Sequence, residues 1–203
     1  MKPIFITGIG TDVGKTIISS ILVQKYSANY WKPIQCGLPR DTDTVKSLVD
    51  NERSVFFDEA FCLKTPLSPH AAAKLENTSI ELVNINLPPM DDKILIIEGA
   101  GGLMVPLSKT SMNIDLIRHL GAKVILVSKF YLGSINHTLL SLQVLKGFNI
   151  PVAGIIWNGE YNLDSVDIIR QYFPVPSIGA IPIIGKWDKK SIAAAGALLN
   201  LDL

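Results

Sequence analysis

The sequence predicts a three-layer α/β fold, in which helices cover both faces of a mainly parallel sheet. Short apolar runs occur at residues 4–6, 94–97, 124–127 and 152–157, and none of them alternates with polar residues. Runs of this kind are typical of strands that are buried on both faces. Helical patterns lie between the runs, and buried strands that alternate with helices favour parallel connections.

The N-terminal part supplies the first helix and a short strand. The helix follows a glycine-rich segment, and a strand is expected at residues 30–32. One helical face is apolar and is formed by Ile17, Ile18, Ile21 and Leu22. Residues 40–93 lack the strand and helix patterns of the rest of the chain, because four prolines interrupt them and they contain no long apolar run. This stretch is predicted to supply loops and short helices around a site.

Three more helices are predicted in the second half. Residues 114–120 form one that ends at Gly121, and residues 135–146 form another, with Ser134 as its N-cap and Gly147 as its stop. Residues 191–199 are expected to form a small packing helix.

Composition restricts the possible functions. The chain has 203 residues, which we interpret as one domain over 1–203; 48% of them are apolar, 18% are charged, and the net charge is +1. This balance disfavours disorder and offers no general attraction to nucleic acid or anionic membranes, so neither is expected as a partner. No apolar stretch is long enough for a membrane helix, and Cys36 and Cys62 form no C-x-x-C motif. A cytoplasmic protein is therefore expected.

A glycine-rich loop is the most specific signal in the chain. Residues 8–16 read GIGTDVGKT, after a predicted strand and before a predicted helix. Backbone N–H groups in such a P-loop surround phosphate oxygens, while Lys15 supplies a positive charge and Thr16 a hydroxyl ligand for Mg²⁺. The spacing G-x-x-x-x-G-K-[ST] is not met, because Ile9 stands where the first glycine belongs and Gly8 lies one position earlier. We expect a nucleoside triphosphate as ligand.

Two acidic residues are candidates for the metal. Glu98 ends the apolar run at 94–97 and precedes four small residues, so it should lie near Thr16 at the carboxyl edge of the sheet. Asp43 is a possible third Mg²⁺ ligand. The alternative for Asp43 is a polar turn that caps the next helix.

Lys32 is a candidate second cation. It ends the short strand at residues 30–32. A second lysine facing the phosphate loop would stabilise the charge on a transferring phosphoryl group. The alternative is an ordinary surface lysine.

Five motifs in order resemble those of the dethiobiotin synthetase family. They are residues 8–16, residues 32–37 (KPIQCG), residues 68–70 (SPH), residues 98–102 (EGAGG) and residues 132–137 (LGSINH). The resemblance covers nearly the whole chain. It implies a homodimeric P-loop enzyme that uses ATP and CO₂ to close the cyclic urea of dethiobiotin from diaminopelargonic acid, through a carbamate and a mixed carbamic-phosphoric anhydride, and releases ADP and phosphate.

The resemblance also implies roles for individual residues. Lys15 and Lys32 would be catalytic, and Thr16, Asp43 and Glu98 would hold Mg²⁺. ATP would be bound by Asp12, Val13, Gly14, Lys15, Thr16, Ile17, Asp43, Glu98, Gly99, Ala100, Gly101 and Asn158. The substrate would contact Thr11, Cys36, Gly101 and Gly102, with its carboxylate at the helix start of the partner subunit, formed by Ser134 and Asn136. Asn158 would read the adenine edge, and the alternative for it is a turn at a strand end.

Two other functions remain open. A ParA- or MinD-like ATPase switch would usually carry an extra lysine early in the loop, where this chain has Ile9, Gly10 and Thr11. Another P-loop amide ligase, such as a cobyrinate amidase domain, would be expected beside a glutaminase domain.

Overall fold

A parallel sheet organises the chain, which the computed structural model describes over residues 3–89 and 91–201. The strands are β1 (Ile4–Gly8), β2 (Asn29–Trp31), β3 (Ile34–Cys36), β4 (Phe56–Phe57), β5 (Phe61–Leu63), β6 (Leu95–Gly102), β7 (Lys123–Lys129), β8 (Val152–Asn158) and β9 (Ser177–Ile181). The helices are α1 (Lys15–Tyr26), α2 (Asp41–Leu48), α3 (Pro69–Leu75), α4 (Asn113–His119), α5 (Ser134–Gly147), α6 (Leu163–Tyr172) and α7 (Lys189–Ala195). Two 3₁₀ turns lie at Leu82–Asn84 and Gly196–Leu198.

The main sheet has seven strands in the order β4-β2-β6-β1-β7-β8-β9. Every pair within it is parallel, which confirms the predicted fold class. β1 lies at the centre, with β6 on one side and β7 on the other. In such a sheet, ligands bind at the carboxyl ends of the strands near the point where the strand order reverses.

Burial on both faces explains the continuous apolar runs. In β1, Ile4 and Ile6 belong to a core with α1 and α7, whereas Phe5 belongs to a separate core with α3 and α4. Successive side chains of a strand point to opposite faces, so both faces here must be apolar. Each of the four predicted runs lies in or overlaps a strand of the sheet, and the short strand expected at residues 30–32 is β2, one residue earlier.

The helix ends differ from the predictions in two places. Gly121 follows α4 with a φ of 62°, which confirms it as a stop. Gly147 is instead the last residue of α5, and Asn149, with a φ of 55°, makes the left-handed turn. Asparagine tolerates this conformation better than most residues do. The N-cap of α5 is Gly133 rather than Ser134, because Gly133 has a left-handed backbone and Ser134 already belongs to the helix.

Residues 40–89 and 91–93, the described part of the proline-interrupted stretch, form loops and short elements, as predicted. They contain two short helices, a 3₁₀ turn and two short strands, one of which pairs with β3 in a separate two-stranded sheet. The small packing helix near the C-terminus begins at Lys189, two residues earlier than expected, and tightens into a 3₁₀ turn at Gly196. The sequence patterns predicted neither β9 nor the small sheet.

The edge strand β9 is covered by the C-terminal segment. Gly179 forms an antiparallel bridge with Leu199, and the Asn200 N–H donates to the Ile178 carbonyl at 2.7 Å. A Cβ atom at Gly179 would lie 2.1 Å from the Leu198 carbonyl oxygen. A residue with a side chain therefore cannot replace this glycine without moving one of the two segments.

Among residues 3–89 and 91–201, no helix combines the length and apolar character needed to cross a lipid bilayer.

We expect Gly179→Ala to lower the free energy of unfolding by about 2–4 kcal/mol, because the new methyl group overlaps backbone and the φ of 152° disfavours an L side chain. Urea unfolding followed by circular dichroism measures the loss. Gly147→Ala is the matched control, since no atom lies within 4 Å of its added Cβ. A loss for Gly179→Ala no larger than that of the control would contradict this account.

Candidate active site

One large cavity opens at the carboxyl ends of β1, β2 and β6. Its volume is about 880 Å³, which lies toward the upper end of the range of small-molecule and cofactor sites. The phosphate loop, the start of α1, the end of β6 and the loops after β3 and β5 form its walls. The loop-rich stretch at 40–93 thus contributes to a site, as the sequence predicts.

The phosphate loop turns sharply before α1. Asp12 has a φ of 56° and Gly14 a φ of 95°, and α1 begins at the next residue, Lys15. A Cβ atom at Gly14 would lie 2.3 Å from Nδ2 of Asn158, and the φ of this residue also disfavours a side chain, so glycine suits the position between the loop and β8. The N-terminus of α1 faces the cavity, and its dipole favours a bound anion.

Glu98 is the buried carboxylate of the cavity, with 1% of its surface exposed. Its Oε1 accepts a hydrogen bond from Oγ1 of Thr16 at 2.8 Å and lies 3.5 Å from Nζ of Lys32. Its Oε2 accepts from the hydroxyl of Tyr30 at 3.0 Å. Both carboxylate oxygens are therefore satisfied by this chain's own side chains, as a buried charge requires.

The two lysines of the site titrate differently. Burial lowers the pKa of Lys15, and the nearby positive charge of Lys32 adds to this, although Glu98 opposes it. Burial also acts to lower the pKa of Lys32, but the negative charges of Glu98 and Asp41 outweigh it and raise that pKa above its ordinary value. Lys32 is 5% exposed and lines the same cavity as Lys15, so it is not the ordinary surface lysine of the alternative interpretation.

Asp43, which the resemblance implies as a metal and ATP ligand, is not among the residues that line the cavity. Its carboxylate forms a two-point ion pair with Arg40, at 2.8 Å and 2.9 Å, on the exposed side of α2. These hydrogen bonds lower the pKa of Asp43. Asp41 lines the cavity instead and forms an ion pair with Lys32. Side chains two positions apart in a helix point in directions that differ by about 200° around its axis. Only one of the two aspartates can therefore face Lys32.

Gln35 fixes the position of Asp41. Its Oε1 accepts from the backbone N–H of Asp41 at 3.2 Å, and its Nε2 donates to the Gly37 carbonyl at 2.9 Å. Gln35 is 3% exposed, and both ends of its amide are used. One buried side chain thus joins the start of α2 to the turn after β3.

Most of the other predicted site residues line the cavity. They are Thr11, Asp12, Gly14, Lys15, Thr16, Ile17, Cys36, Glu98, Ala100 and Gly101.

Besides Asp43, six predicted residues lie outside the cavity wall, namely Val13, Gly99, Gly102, Ser134, Asn136 and Asn158. Gly99 packs behind the wall, where a Cβ would meet Phe5 and Asn113. Gly102 lines an adjoining groove beside α5. Val13 is buried, and its carbonyl accepts from Nδ2 of Asn158 at 2.8 Å. Ser134 and Asn136 lie at the start of α5 and are not part of the cavity wall in this chain.

The sequence analysis assigned no individual site role to several residues that line or support the cavity. They are Tyr30, Gln35, Asp41, Val105 and the turns at residues 37–39 and 66–69. The polar residues at the start of α2 gave a signal for Asp41, because they predicted a helix start there. That signal did not distinguish the first helical residue, Asp41, from the third, Asp43. Tyr30 and Gln35 gave no signal of a site role, because each lies in a short buried strand whose pattern is typical of the core.

Cys36 lines the cavity but is a poor nucleophile. Burial raises the pKa of its thiol to about 11, although the charge of Lys32 acts in the opposite direction. Only a very small fraction of such a thiol is ionised at neutral pH. We interpret Cys36 as a small wall residue.

The cavity offers oxygen ligands suited to a hard cation. The Thr16 hydroxyl and the carboxylates of Glu98 and Asp41 all line it. In the described part of the chain, no three His, Cys, Asp or Glu side chains form a metal cluster. Magnesium is commonly held by one or two carboxylates together with substrate phosphates and water, so this donor set fits it.

Comparison with known proteins identifies relatives over most of the chain. A family model described as an AAA domain matches residues 2–191. A protein of Cytophaga hutchinsonii named ATP-dependent dethiobiotin synthetase BioD is 50% identical over 173 residues, covering 85% of this chain and 84% of that protein. A protein of the same name from Christiangramia forsetii is 48% identical over 182 residues, covering 89% and 87%.

Solved structures confirm the P-loop fold. A ParA family ATPase from Chlorobium tepidum superposes with a TM-score of 0.58 at 15% identity, covering 98% of this chain and all of that one. The cell division ATPase MinD of Pyrococcus furiosus gives a TM-score of 0.60 at 11% identity, covering 97% and 98%. At these identities the likeness concerns the fold alone.

The raised pKa of Cys36 predicts slow alkylation by iodoacetamide. In a Cys62→Ser variant, which leaves only Cys36, the rate should rise about tenfold per pH unit from pH 8 to pH 10, because the reactive thiolate forms only as the pH approaches about 11. Mass spectrometry of timed samples measures the rate, with Cys36→Ser as the control for Cys62. A rate that levels off near pH 8 would show instead that Lys32 stabilises the thiolate.

Proposed function

The chain belongs to the ATP-dependent dethiobiotin synthetases, and we propose that its cavity closes the cyclic urea of dethiobiotin from diaminopelargonic acid, CO₂ and ATP. Enzymes of this family are ligases that form C–N bonds. The observation that carries the proposal is the convergence of two buried lysines, Lys15 and Lys32, with the Thr16–Glu98 pair in one cavity.

The reaction requires three bond-forming steps, none with a covalent enzyme intermediate. One amine of the substrate adds to CO₂ and loses a proton, which gives a carbamate. A carbamate oxygen then attacks the γ-phosphorus of ATP, and the bond to ADP breaks. The second amine attacks the carbonyl carbon of this mixed anhydride, loses a proton and expels phosphate, which leaves the cyclic urea.

Lys15 and Lys32 would stabilise the negative charge in these steps. The carbamate and the γ-phosphoryl group are both anions, and their approach is opposed by charge repulsion. Two ammonium groups fixed in a buried site reduce that repulsion without reorganising solvent. The raised pKa of Lys32 keeps it protonated, so it acts as a fixed positive charge rather than as a base.

We propose that Thr16, Glu98 and Asp41 hold Mg²⁺ together with the nucleotide phosphates. The chemistry of their oxygens supports this, and Asp41 replaces Asp43 in the set because it faces Lys32. When bound, Mg²⁺ would neutralise charge on the β- and γ-phosphates. Asp41 and Glu98 also balance Lys32, so these carboxylates have a role in orienting that lysine as well.

We propose that the phosphate loop binds the nucleotide phosphates and that Asn158 contacts the base. Asn158 lies at the end of β8, where its amide is held by the Val13 carbonyl. An asparagine amide can pair with the N6 and N7 positions of adenine. The fixed orientation of this amide supports a role in reading the base.

We propose a homodimer in which the start of α5 from one subunit completes the substrate site of the other. In support, Leu132 is fully exposed just before that helix, and Met104 and Leu140 are about half exposed beside the groove that Gly102 lines. Ser134 and Asn136 would then receive the substrate carboxylate at a helix N-terminus. We further propose that residues 1–203 act as one ligase domain in the cytoplasm.

An ATPase switch is the competing function, and the fold alone does not distinguish it. ParA and MinD share the fold, but positions 9–11 of this chain carry no lysine. The family of the chain and the second lysine, Lys32, both favour the ligase.

ATP turnover measured with and without the two co-substrates tests the function. We expect ADP to form in equal amounts with dethiobiotin, and only when both diaminopelargonic acid and bicarbonate are present. Product formation is followed by mass spectrometry. Turnover that ignores both additions would contradict the ligase and favour a switch.

The two aspartates of α2 provide a sharp test of the metal site. Asp41→Asn should lower kcat/KM at least tenfold, or about 1.4 kcal/mol in the barrier, because it removes a carboxylate beside Lys32. Asp43→Asn should change it less than twofold, because Asp43 contacts only Arg40 outside the cavity. Steady-state dethiobiotin formation at several Mg²⁺ concentrations measures both, and equal losses would reject this assignment.

A further inference from the structure

Tyr30 is a buried phenol next to the cavity that the proposed reaction does not use. It lies on β2, is fully buried, and its ring packs against Phe56 with ring centres 6.2 Å apart. Its hydroxyl donates to Oε2 of Glu98 at 3.0 Å. A phenol in the core needs a hydrogen-bond partner, but this partner is the carboxylate at the centre of the site.

Sheet register explains how Tyr30 reaches Glu98. Tyr30 pairs with Ile96 on the neighbouring strand β6, and Glu98 follows two residues later on the same face. Neighbouring strands lie about 4.8 Å apart and two residues advance about 6.6 Å along a strand, so the two Cα atoms are about 8 Å apart, which a long aromatic side chain spans. The contact therefore follows from the backbone and does not depend on a mobile loop.

The two oxygens of Glu98 have different surroundings. Oε2 meets only the phenol, on the core side. Oε1 meets Oγ1 of Thr16 at 2.8 Å and Nζ of Lys32 at 3.5 Å, and both of these residues line the cavity. A carboxylate without the phenol could rotate about its last bond and exchange its oxygens.

We propose that Tyr30 is a positioning residue, whose hydroxyl holds Oε2 of Glu98 so that Oε1 faces Thr16, Lys32 and the cavity. This inference rests on the proposed function, since it assigns Oε1 to the cation that accompanies the nucleotide. Burial, with a further contribution from the charge of Glu98, raises the pKa of Tyr30 well above its ordinary value.

Tyr26 offers a matched control for the same chemical change. Its hydroxyl also makes one hydrogen bond, accepting from the Leu201 N–H at 3.1 Å. It lies at the far end of α1, about 16 Å along the helix axis from Lys15 at 1.5 Å per residue. Tyr26→Phe and Tyr30→Phe each remove one oxygen and keep the ring, so any difference between them reports the contact with Glu98.

The experiment measures Mn²⁺ binding by electron paramagnetic resonance in the presence of a non-hydrolysable ATP analogue. Tyr30→Phe should raise the Kd for Mn²⁺ about tenfold and lower kcat with little change in the KM for diaminopelargonic acid. Tyr26→Phe should stay within twofold of the unmodified protein in both. Equal Mn²⁺ affinity in the two variants would overturn the role of Tyr30.

A different result would reject the proposed site itself. If the unmodified protein binds Mn²⁺ no better than the ATP analogue does alone, the metal site fails regardless of Tyr30.

A second measurement is made on the unmodified protein, and the spectrum of Tyr30→Phe serves only to assign the Tyr30 resonance. In protein labelled with ¹³C at the tyrosine Cζ, the Tyr30 resonance should shift most among the five tyrosines when Mg²⁺ and the ATP analogue are added. A Tyr30 resonance that does not move would contradict the proposal.

Discussion

The buried carboxylate of Glu98 is the interaction on which the cavity depends. A charge taken out of water is stable only when it is paired and hydrogen-bonded, and Glu98 meets this requirement through Tyr30, Thr16 and Lys32. These partners come from β2, from α1 and from the residue after β2. The start of α1 and the ends of two strands are thereby held at one point. The two lysines of the cavity, Lys15 and Lys32, carry two positive charges, and Glu98 and Asp41 carry two negative ones. Their net charge is zero, so a polyanionic nucleotide needs an additional cation to be neutralised.

The sequence predicted the scaffold well because its patterns are strong where burial is complete. Continuous apolar runs at β1, β6, β7 and β8 could be interpreted without knowing their neighbours, and the phosphate loop could be recognised from its glycines, Lys15 and Thr16 between a strand and a helix. The edge strand β9 was missed because Gly179 interrupts it and one of its neighbours is the distant C-terminal segment. Local patterns carry no signal for a partner that lies far along the chain.

The placement of side chains within the site is hard to predict from sequence for a similar reason. Asp41 and Asp43 are equivalent in composition, and only the residue at which α2 begins decides which of them faces Lys32. Gln35 sets that position through the Asp41 N–H, and such a contact between a side chain and a distant backbone group leaves no pattern in sequence. The predicted stop of α5 was Gly147, whereas the left-handed turn is made by Asn149. Local pattern could not decide between them, because glycine and asparagine both adopt this conformation.

The bridge between Gly179 and Leu199 has a consequence for how the protein is handled. Sheets with bare edges expose unpaired main-chain groups that recruit strands from other molecules. Here one edge is the two-residue strand β4, and the other is shielded by the C-terminal segment. Truncation before Leu199, or a fusion partner that pulls this segment away, would uncover β9 and promote self-association. For expression and crystallisation, affinity tags on this chain therefore belong at the opposite terminus.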